Sequence, residues 1–346
     1  MTFKNSFEIN GRSIGEGIPV YIIAEMSANH GQDLGRAKEL VYAAKEAGAD
    51  AIKLQTYTAD TLTMDCKLPH FEAQGAWKGQ YLYDLYKGAY MPWDFHKEII
   101  ELANSIGITC FSSPFDNSAV DLLESFDSPA YKIASPEIID HELIRYVAKT
   151  GKPIIMSTGG ATLAEIAEAV QIVESEGATE LCLLKCTSTY PAPAESINLR
   201  TIPHLGKSFQ CPVGLSDHTL GNDVPIASVA FGACVIEKHF VMSKDDETAD
   251  SFFSMTPDEL KALVHGVRQV EKAIGQVDYP LTTSTSRRCL YVIKDIQAGE
   301  MFTRDNIANL RPGGGELMPK DIIRVLGRKS GKHLTRGTQL SWQHLA

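Results

Sequence analysis

The chain has 346 residues, of which 44% are hydrophobic and 22% charged, near the averages for soluble globular proteins. This balance excludes a disordered chain, a collagen-like fibre and a disulfide miniprotein, and no apolar run approaches the ~18 residues of a membrane span. The net charge of −10 is unevenly held: the segment from Arg287 to the C-terminus carries +6 and the first 286 residues carry −16.

A basic C-terminal segment raises nucleic acid as a partner. Its charges alternate with apolar residues and glycines and form no recognition-helix pattern. The reading is therefore no nucleic acid and no membrane, but a small basic domain that meets acidic surface or an anionic ligand. The opening MTFKNSFEINGRSIGEG holds no apolar segment of the kind a secretory leader needs. Seven cysteines make no C-x-x-C pair, as expected of reduced, packed thiols in a cytoplasmic enzyme.

From residue 19 onward, apolar runs alternate with helical patterns. Eight runs, at 19–26, 49–55, 108–114, 130–135, 153–158, 181–187, 212–218 and 234–240, lack polar alternation, as in parallel strands buried on both faces. Between them, LGRAKELVYAAKEAG and TLAEIAEAVQIVESEG gather their apolar residues on one helical face. Gly48, Gly107, Gly151 and Gly177 stand where helix C-caps belong. Eight such units in ~250 residues predict an α/β fold, a TIM (β/α)8 barrel. A doubly wound sheet competes, but EMSANHG after the first run is not a glycine-rich phosphate turn. Residues 56–93 form an aromatic-rich excursion, read as a lid or substrate wall. The chain thus divides into a barrel over 1–275, a polar linker over 276–288 and a small β-rich domain over 289–346.

Active sites of TIM barrels gather at the C-terminal strand ends. Here those ends read Glu25; Lys53 and Gln55; Ser113; Lys132 and Ser135; Ser157; Lys185 and Ser188; Ser216 and His218; Glu237 and His239. A lone lysine at a strand end is as readily a structural ion-pair partner, but the joint pattern is that of a site. Three lysines with serine hydroxyls suit a compact, multiply charged anion such as a phosphate with a carboxylate. His218 and His239 close successive strands, so their imidazoles can converge on one metal ion; hydrogen-bonded core histidines are the competing reading. With two nitrogens and no cysteine, that ion would be Mn²⁺ or Mg²⁺, polarising a carbonyl. Glu25 is a candidate to orient a water or take its proton.

The segments AEMSANHGQDLGRAKEL, AIKLQTYTADTLT, SSPFD, YKIASPEI, STGGATLAEI, KCTSTYPAP, GLSDHTLG and IEKHF resemble the sialic acid synthase family. The C-terminal domain resembles the family's antifreeze-like (SAF) module. KLQTYTADTLT and YLYDLYKGAYMPWDFHKE are most similar to the family's pseudaminic acid branch. The resemblance implies that phosphoenolpyruvate condenses with the open-chain aldehyde of an N-acetylated amino sugar, and that C–O cleavage releases phosphate. For this branch the sugar would be 2,4-diacetamido-2,4,6-trideoxy-L-altrose and the product a nonulosonic acid. N-acetylneuraminate and legionaminate synthesis are the alternatives within the family.

The resemblance also implies site roles. Lys53, Ser113, Lys132, Ser135, Ser157, Ser188 and Ser216 would surround phosphoenolpyruvate, and His218 and His239 would hold the metal, with Glu25 as the catalytic carboxylate. Gln55, Glu137, Tyr190, Asp250 and Arg311 would face the sugar. Thr248-Ala249-Asp250 stands where relatives usually read Gly-Pro-Asp. A domain-swapped homodimer is implied, each barrel meeting the small module of the other chain. Two readings lie outside the family. A Schiff-base aldolase on Lys132 or Lys185 would need no metal; a non-catalytic carbohydrate-binding protein leaves the charged strand ends unexplained.

Overall fold

The computed structural model describes residues 3–279 and 286–346, so part of the expected linker lies outside the described residues. The chain divides into two compact units, Met1–Gly275 and Gln276–Ala346.

The first unit begins with a hairpin, β1 (Ser6–Ile9) and β2 (Arg12–Gly15). Eight parallel strands follow: β3 (Tyr21–Glu25), β4 (Ala51–Thr56), β5 (Thr109–Pro114), β6 (Tyr131–Ile133), β7 (Ile154–Ser157), β8 (Leu181–Cys186), β9 (Val213–Asp217) and β10 (Val235–His239). They close into a barrel in chain order, β10 pairing back onto β3. Each of the eight apolar runs holds one strand. The main covering helices are α1 (Leu34–Ala47), then, after the short α2 (Ala59–Leu62) and α3 (Leu82–Ala89) of the excursion, α4 (Trp93–Ile106). They continue with α5 (Asn117–Glu124), α6 (His141–Ala148), α7 (Leu163–Ser175), α8 (Thr201–Phe209), α9 (Asp223–Ala230) and α10 (Pro257–Ile274). Capping boxes, Thr162 with Glu165 and Thr256 with Glu259, start α7 and α10. Left-handed Gly48 and Gly107 end α1 and α4.

The N-terminal hairpin was not expected. Its turn is Asn10-Gly11, both at positive φ (49° and 76°), the residue pair that two-residue hairpins favour. Phe7, Ile9 and Ile14 point from it into a cluster with Tyr21, Ile23, Ala51, Phe111, Cys182 and Leu184 inside the barrel. The hairpin therefore stops the N-terminal end of the barrel, and the interior opens at the other.

Strand alternation sets what that opening contains. In β3, Tyr21 and Ile23 point inward while Ile22 and Ala24 pack under the helices, so Glu25 is the next inward residue. By the same count Ala51 leads to Lys53 and Gln55, and Phe111 to Ser113. On β8, Cys182 and Leu184 lead to Cys186, which turns Lys185 away from the interior.

In the second unit β11 (Cys289–Val292) pairs antiparallel with β12 (Ile307–Leu310), supported by isolated bridges such as Ile296 to Leu334 and followed by the short α-helix α11 (Ile322–Val325). Leu290, Ile296, Phe302, Leu317 and Leu340 form its core. Among the described residues no helix is long and apolar enough to cross a membrane.

Candidate active site

Strand register assembles the pocket floor. Glu25 is paired with Lys53 across β3–β4 and with His239 across β3–β10; Ser216 is beside Glu237, and Gln55 beside Ser113. Lys53 Nζ forms an ion pair with Glu25 and lies 3.8 Å from Glu237 Oε2. Lys132 Nζ lies 3.3 Å from Glu237 Oε1. All four side chains are almost fully buried. Ser113 accepts from Lys53 at 3.1 Å, Ser216 donates to Glu237 at 3.1 Å, and Gln55 donates to Glu25 at 2.9 Å.

Burial and charge pull these groups in different directions. Desolvation pushes the Glu25 carboxyl above its ordinary range despite the opposing Lys53 ammonium. Burial also works against ionised Glu237, but Lys132 and Lys53 outweigh it and hold its carboxyl down at about 2. Lys53 is raised because Glu237 and Glu25 outweigh its desolvation. Lys132 is lowered, its desolvation outweighing the attraction of Glu237.

Beside the lysines lies a hydroxyl cradle. The Gly159 N–H donates to Ser135 Oγ at 3.0 Å. A Cβ built on Gly159 would stand 2.7 Å from Ser135 Oγ and 3.1 Å from Cys186 Sγ, and would overlap the Ser188 hydroxyl. Only glycine leaves this backbone bare against two serines. Ser157 Oγ is buried with no hydrogen-bond partner, and it lines the same pocket. Ser188 is itself exposed, at the outer edge.

The two histidines converge, with ring centroids 5.3 Å apart. The Thr187 carbonyl lies 2.9 Å from His218 Nδ1, fixing that nitrogen as a donor and leaving Nε2 as the lone-pair nitrogen. His239 Nδ1 is buried without a hydrogen-bond partner, 3.6 Å from Asp250. An orphaned nitrogen beside a presented lone pair fits a divalent cation with remaining positions open to water or substrate. Among the described residues no group of three or more His, Cys, Asp or Glu side chains is arranged to hold a metal.

Two chambers meet here. The inner one, about 60 Å³, holds Glu25, Lys53, Lys132, Ser157, His218 and Glu237. The outer one, 390 Å³, is lined by Ser27, Tyr57, Trp77, Leu85, Phe115 and Asp250 among others. Gln55, Tyr190 and His239 line both. The Tyr190 ring lies 4.3 Å from that of His218 and 5.5 Å from that of Trp77. Trp77 Nε1 donates to the Ala249 carbonyl at 3.0 Å, tying the 56–93 excursion to the loop that carries Asp250. That loop is also held by Thr248, which donates to Asn29 at 2.6 Å, and by Ser27, which donates to Asp250. The Thr248-Ala249-Asp250 sequence thus delivers a buried carboxylate to the chamber without a Gly-Pro turn.

Three expectations need adjustment. Lys185 bonds the Cys186 carbonyl at 2.6 Å and Thr187 at 3.1 Å and does not line the inner chamber, so two lysines, not three, serve it. A cysteine is present after all: Cys186 Sγ lies 4.0 Å from His218 Nδ1. Burial works against its thiolate, but His218 together with the Ser135 hydroxyl and the Lys132 ammonium outweighs it and holds the thiol down at about 7. Glu137 lines neither chamber; burial pushes its carboxyl up to about 7. Arg311 is exposed in the second unit, directly after β12. Counting by twos from Leu184 would have found Cys186. Nothing in the sequence marked the bond between Trp77 and Ala249.

A closed parallel barrel with a charged, hydroxyl-rich pocket at its C-terminal strand ends defines a protein of the TIM (β/α)8 barrel class. A model of the NeuB family matches residues 40–279 and a model of the SAF domain matches residues 287–346. The chain belongs to the NeuB family. It is 46% identical to the pseudaminic acid synthase of Campylobacter jejuni, over 93% of this chain and 95% of that one. It is 45% identical to the pseudaminic acid synthase of Helicobacter pylori, over 93% and 97% of the two chains. The crystal structure of the spore coat polysaccharide biosynthesis protein spsE from Bacillus subtilis is similar, with a TM-score of 0.68 at 32% identity over 99% of both chains.

Proposed function

We propose that the protein is a phosphoenolpyruvate-dependent nonulosonic acid synthase of the pseudaminic acid type. The observation that carries this reading is the two-chamber pocket: a small floor with two buried lysines and a hydroxyl cradle, opening at two histidines into a larger chamber. Similarity to pseudaminic acid synthases over most of both chains supports the choice of branch.

Lys53, Lys132, Ser113, Ser135, Ser157, Ser188 and Ser216 bind the phosphate and carboxylate of phosphoenolpyruvate by charge-assisted hydrogen bonds. The sugar, 2,4-diacetamido-2,4,6-trideoxy-L-altrose, occupies the outer chamber with Gln55, Tyr190 and Asp250 around it, its aldehyde turned toward the shared opening. His218 and His239 would hold Mn²⁺ or Mg²⁺, which supplies a Lewis acid for the aldehyde oxygen. Phosphoenolpyruvate C3 bonds to the aldehyde carbon, leaving C2 electron-poor. Glu25, raised by burial and steadied by Gln55, takes a proton from the water that adds at C2. That loss balances the proton gained by the aldehyde oxygen. The bond from C2 to the phosphate oxygen then breaks with its electron pair leaving on phosphate, which takes the proton of the C2 hydroxyl as that oxygen becomes the ketone. The free cysteines suit the reducing cytoplasm, where we place the protein.

Phosphate release with a panel of amino sugars, together with product mass, tests the reading. The expected result is turnover of the diacetamido trideoxy sugar and ¹⁸O from water in the sugar acid; label in the phosphate would overturn it. The lowered Lys132 favours one other reading, a Schiff-base aldolase. Loss of activity on borohydride treatment with substrate would select it. We further propose a homodimer in which Arg311 of one chain serves the barrel of the other. Mixed dimers of Arg311→Ala and His218→Ala chains should then recover activity, and mixed dimers without recovery would refute the exchange.

A further inference from the structure

We infer that the apolar face of α3 is the wall that selects the sugar, receiving its methyl-bearing end: the C6 methyl and the 4-acetamido methyl. The inference rests on the functional reading above. Helix α3 places Leu82, Leu85, Tyr86 and Ala89 at spacings of three and four, on one face. Such a stripe ordinarily packs against a core. Here all four residues line the outer chamber, and none belongs to the hydrophobic clusters of the barrel unit among the described residues. Leu82 and Leu85 remain only half-buried.

The chamber therefore has two sides of different chemistry. Gln55 and His239 stand toward the inner pocket, with Asp250 3.6 Å from His239 Nδ1; α3 supplies the apolar wall. Condensation needs the sugar's C1 at the opening that Gln55, Tyr190 and His239 share, so the far carbons of the open chain fall in the outer chamber. There Leu82, Leu85 and Ala89 offer no hydrogen-bond partner. A methyl gains by burial against them, whereas a hydroxyl facing these three side chains loses its water without a replacement, the Tyr86 hydroxyl being the polar group of the stripe. The bond from Trp77 to Ala249 fixes the same excursion to the Asp250 loop, which holds the wall opposite the polar groups.

The test compares kcat/KM for 2,4-diacetamido-2,4,6-trideoxy-L-altrose and its 6-hydroxy counterpart in the full-length, metal-supplied protein. An apolar pocket rejects an added hydroxyl only moderately, so the native chain should favour the deoxy sugar by about 10–100-fold. Leu85→Asn, which offers the hydroxyl an amide, should bring the two sugars within about threefold with the phosphoenolpyruvate KM unchanged. Leu85→Met should keep the native ratio. An unchanged ratio in folded Leu85→Asn, or equal loss with both sugars, overturns the wall. Equal use of both sugars by the native chain also overturns it while leaving the functional reading intact. No phosphate from either sugar defeats the functional reading, and the wall falls with it.

Discussion

Lys132 Nζ lies 3.3 Å from Glu237 Oε1 with both side chains nearly solvent-free, and the second oxygen of Glu237 reaches toward Lys53. Glu237 thus supplies, in the protein alone, negative charge that an incoming anion would also supply. Glu237→Gln should cost about 3–5 kcal/mol of stability, because it leaves buried ammonium charge without its partner. Phosphoenolpyruvate should restore part of that loss, so its thermal shift should be larger in the variant than in the native protein. Equal shifts would show that the carboxylate does not neutralise the anion site. The pH dependence has a definite sign. The folded protein holds this carboxyl at about 2 against an ordinary 4.5, so its contribution is full above 4.5 and is lost as pH falls toward 2. Glu237→Gln should lack that acid limb.

Glu137 should show the opposite slope. Burial holds its carboxyl at about 7 in the folded state against an ordinary 4.5, so the folded chain binds more protons between those values. Its contribution to stability therefore falls as pH rises from 4.5 to 7. Glu137→Gln should be more stable than the native protein at pH 8, by roughly 1–3 kcal/mol, and nearly equal to it at pH 4.5. Urea midpoints at the two pH values measure this. A constant difference would mean the carboxyl is not held protonated by burial.

The two histidines are expected to act through an ion. His218→Ala and His239→Ala should each reduce phosphate release to background while leaving the barrel folded. Chelator should silence the native protein and excess Mn²⁺ should restore it. Normal metal response in His239→Ala would remove that residue from the metal site.

Much of this was legible in the sequence because the barrel repeats one simple rule. Eight apolar runs gave eight strands, and alternate residues from Tyr21, Ala51 and Phe111 lead to Glu25, Lys53 and Ser113. The same alternation explains Lys185, which turns outward because Leu184 already occupies the inward side of β8. The hairpin at 6–15 leaves a weak signal because its strands are four residues each, with only Asn10-Gly11 to mark the turn. The contact between Trp77 and Ala249 spans 172 residues and depends on how two loops cross, which no local pattern encodes.

Trp77→Phe tests that contact directly. Phenylalanine keeps an aromatic ring near Tyr190 but cannot donate to the Ala249 carbonyl. A lost hydrogen bond of about 1 kcal/mol should raise the sugar KM roughly fivefold, with the phosphoenolpyruvate KM unchanged. Equal effects on both constants would show that the excursion does not hold the sugar chamber in particular.

Gly159 offers the sharpest separation of the two substrates. Its amide already donates to Ser135, and a side chain would enter the space between Ser135, Ser188 and Cys186. Where an overpacking cost of about 1–3 kcal/mol falls on the anion-bound state, Gly159→Ala should raise the phosphoenolpyruvate KM about 5–150-fold. The sugar KM should hardly move, because Gly159 does not line the outer chamber. A second substitution makes the cause explicit. Ser188→Gly removes the hydroxyl that the new methyl overlaps, at the price of one anion contact. If steric conflict is the cause, the double variant should bind phosphoenolpyruvate better than the product of the two single effects, a favourable coupling in a double-mutant cycle. Simple additivity would mean that the methyl acts elsewhere, and the cradle would lose its claim on the anion.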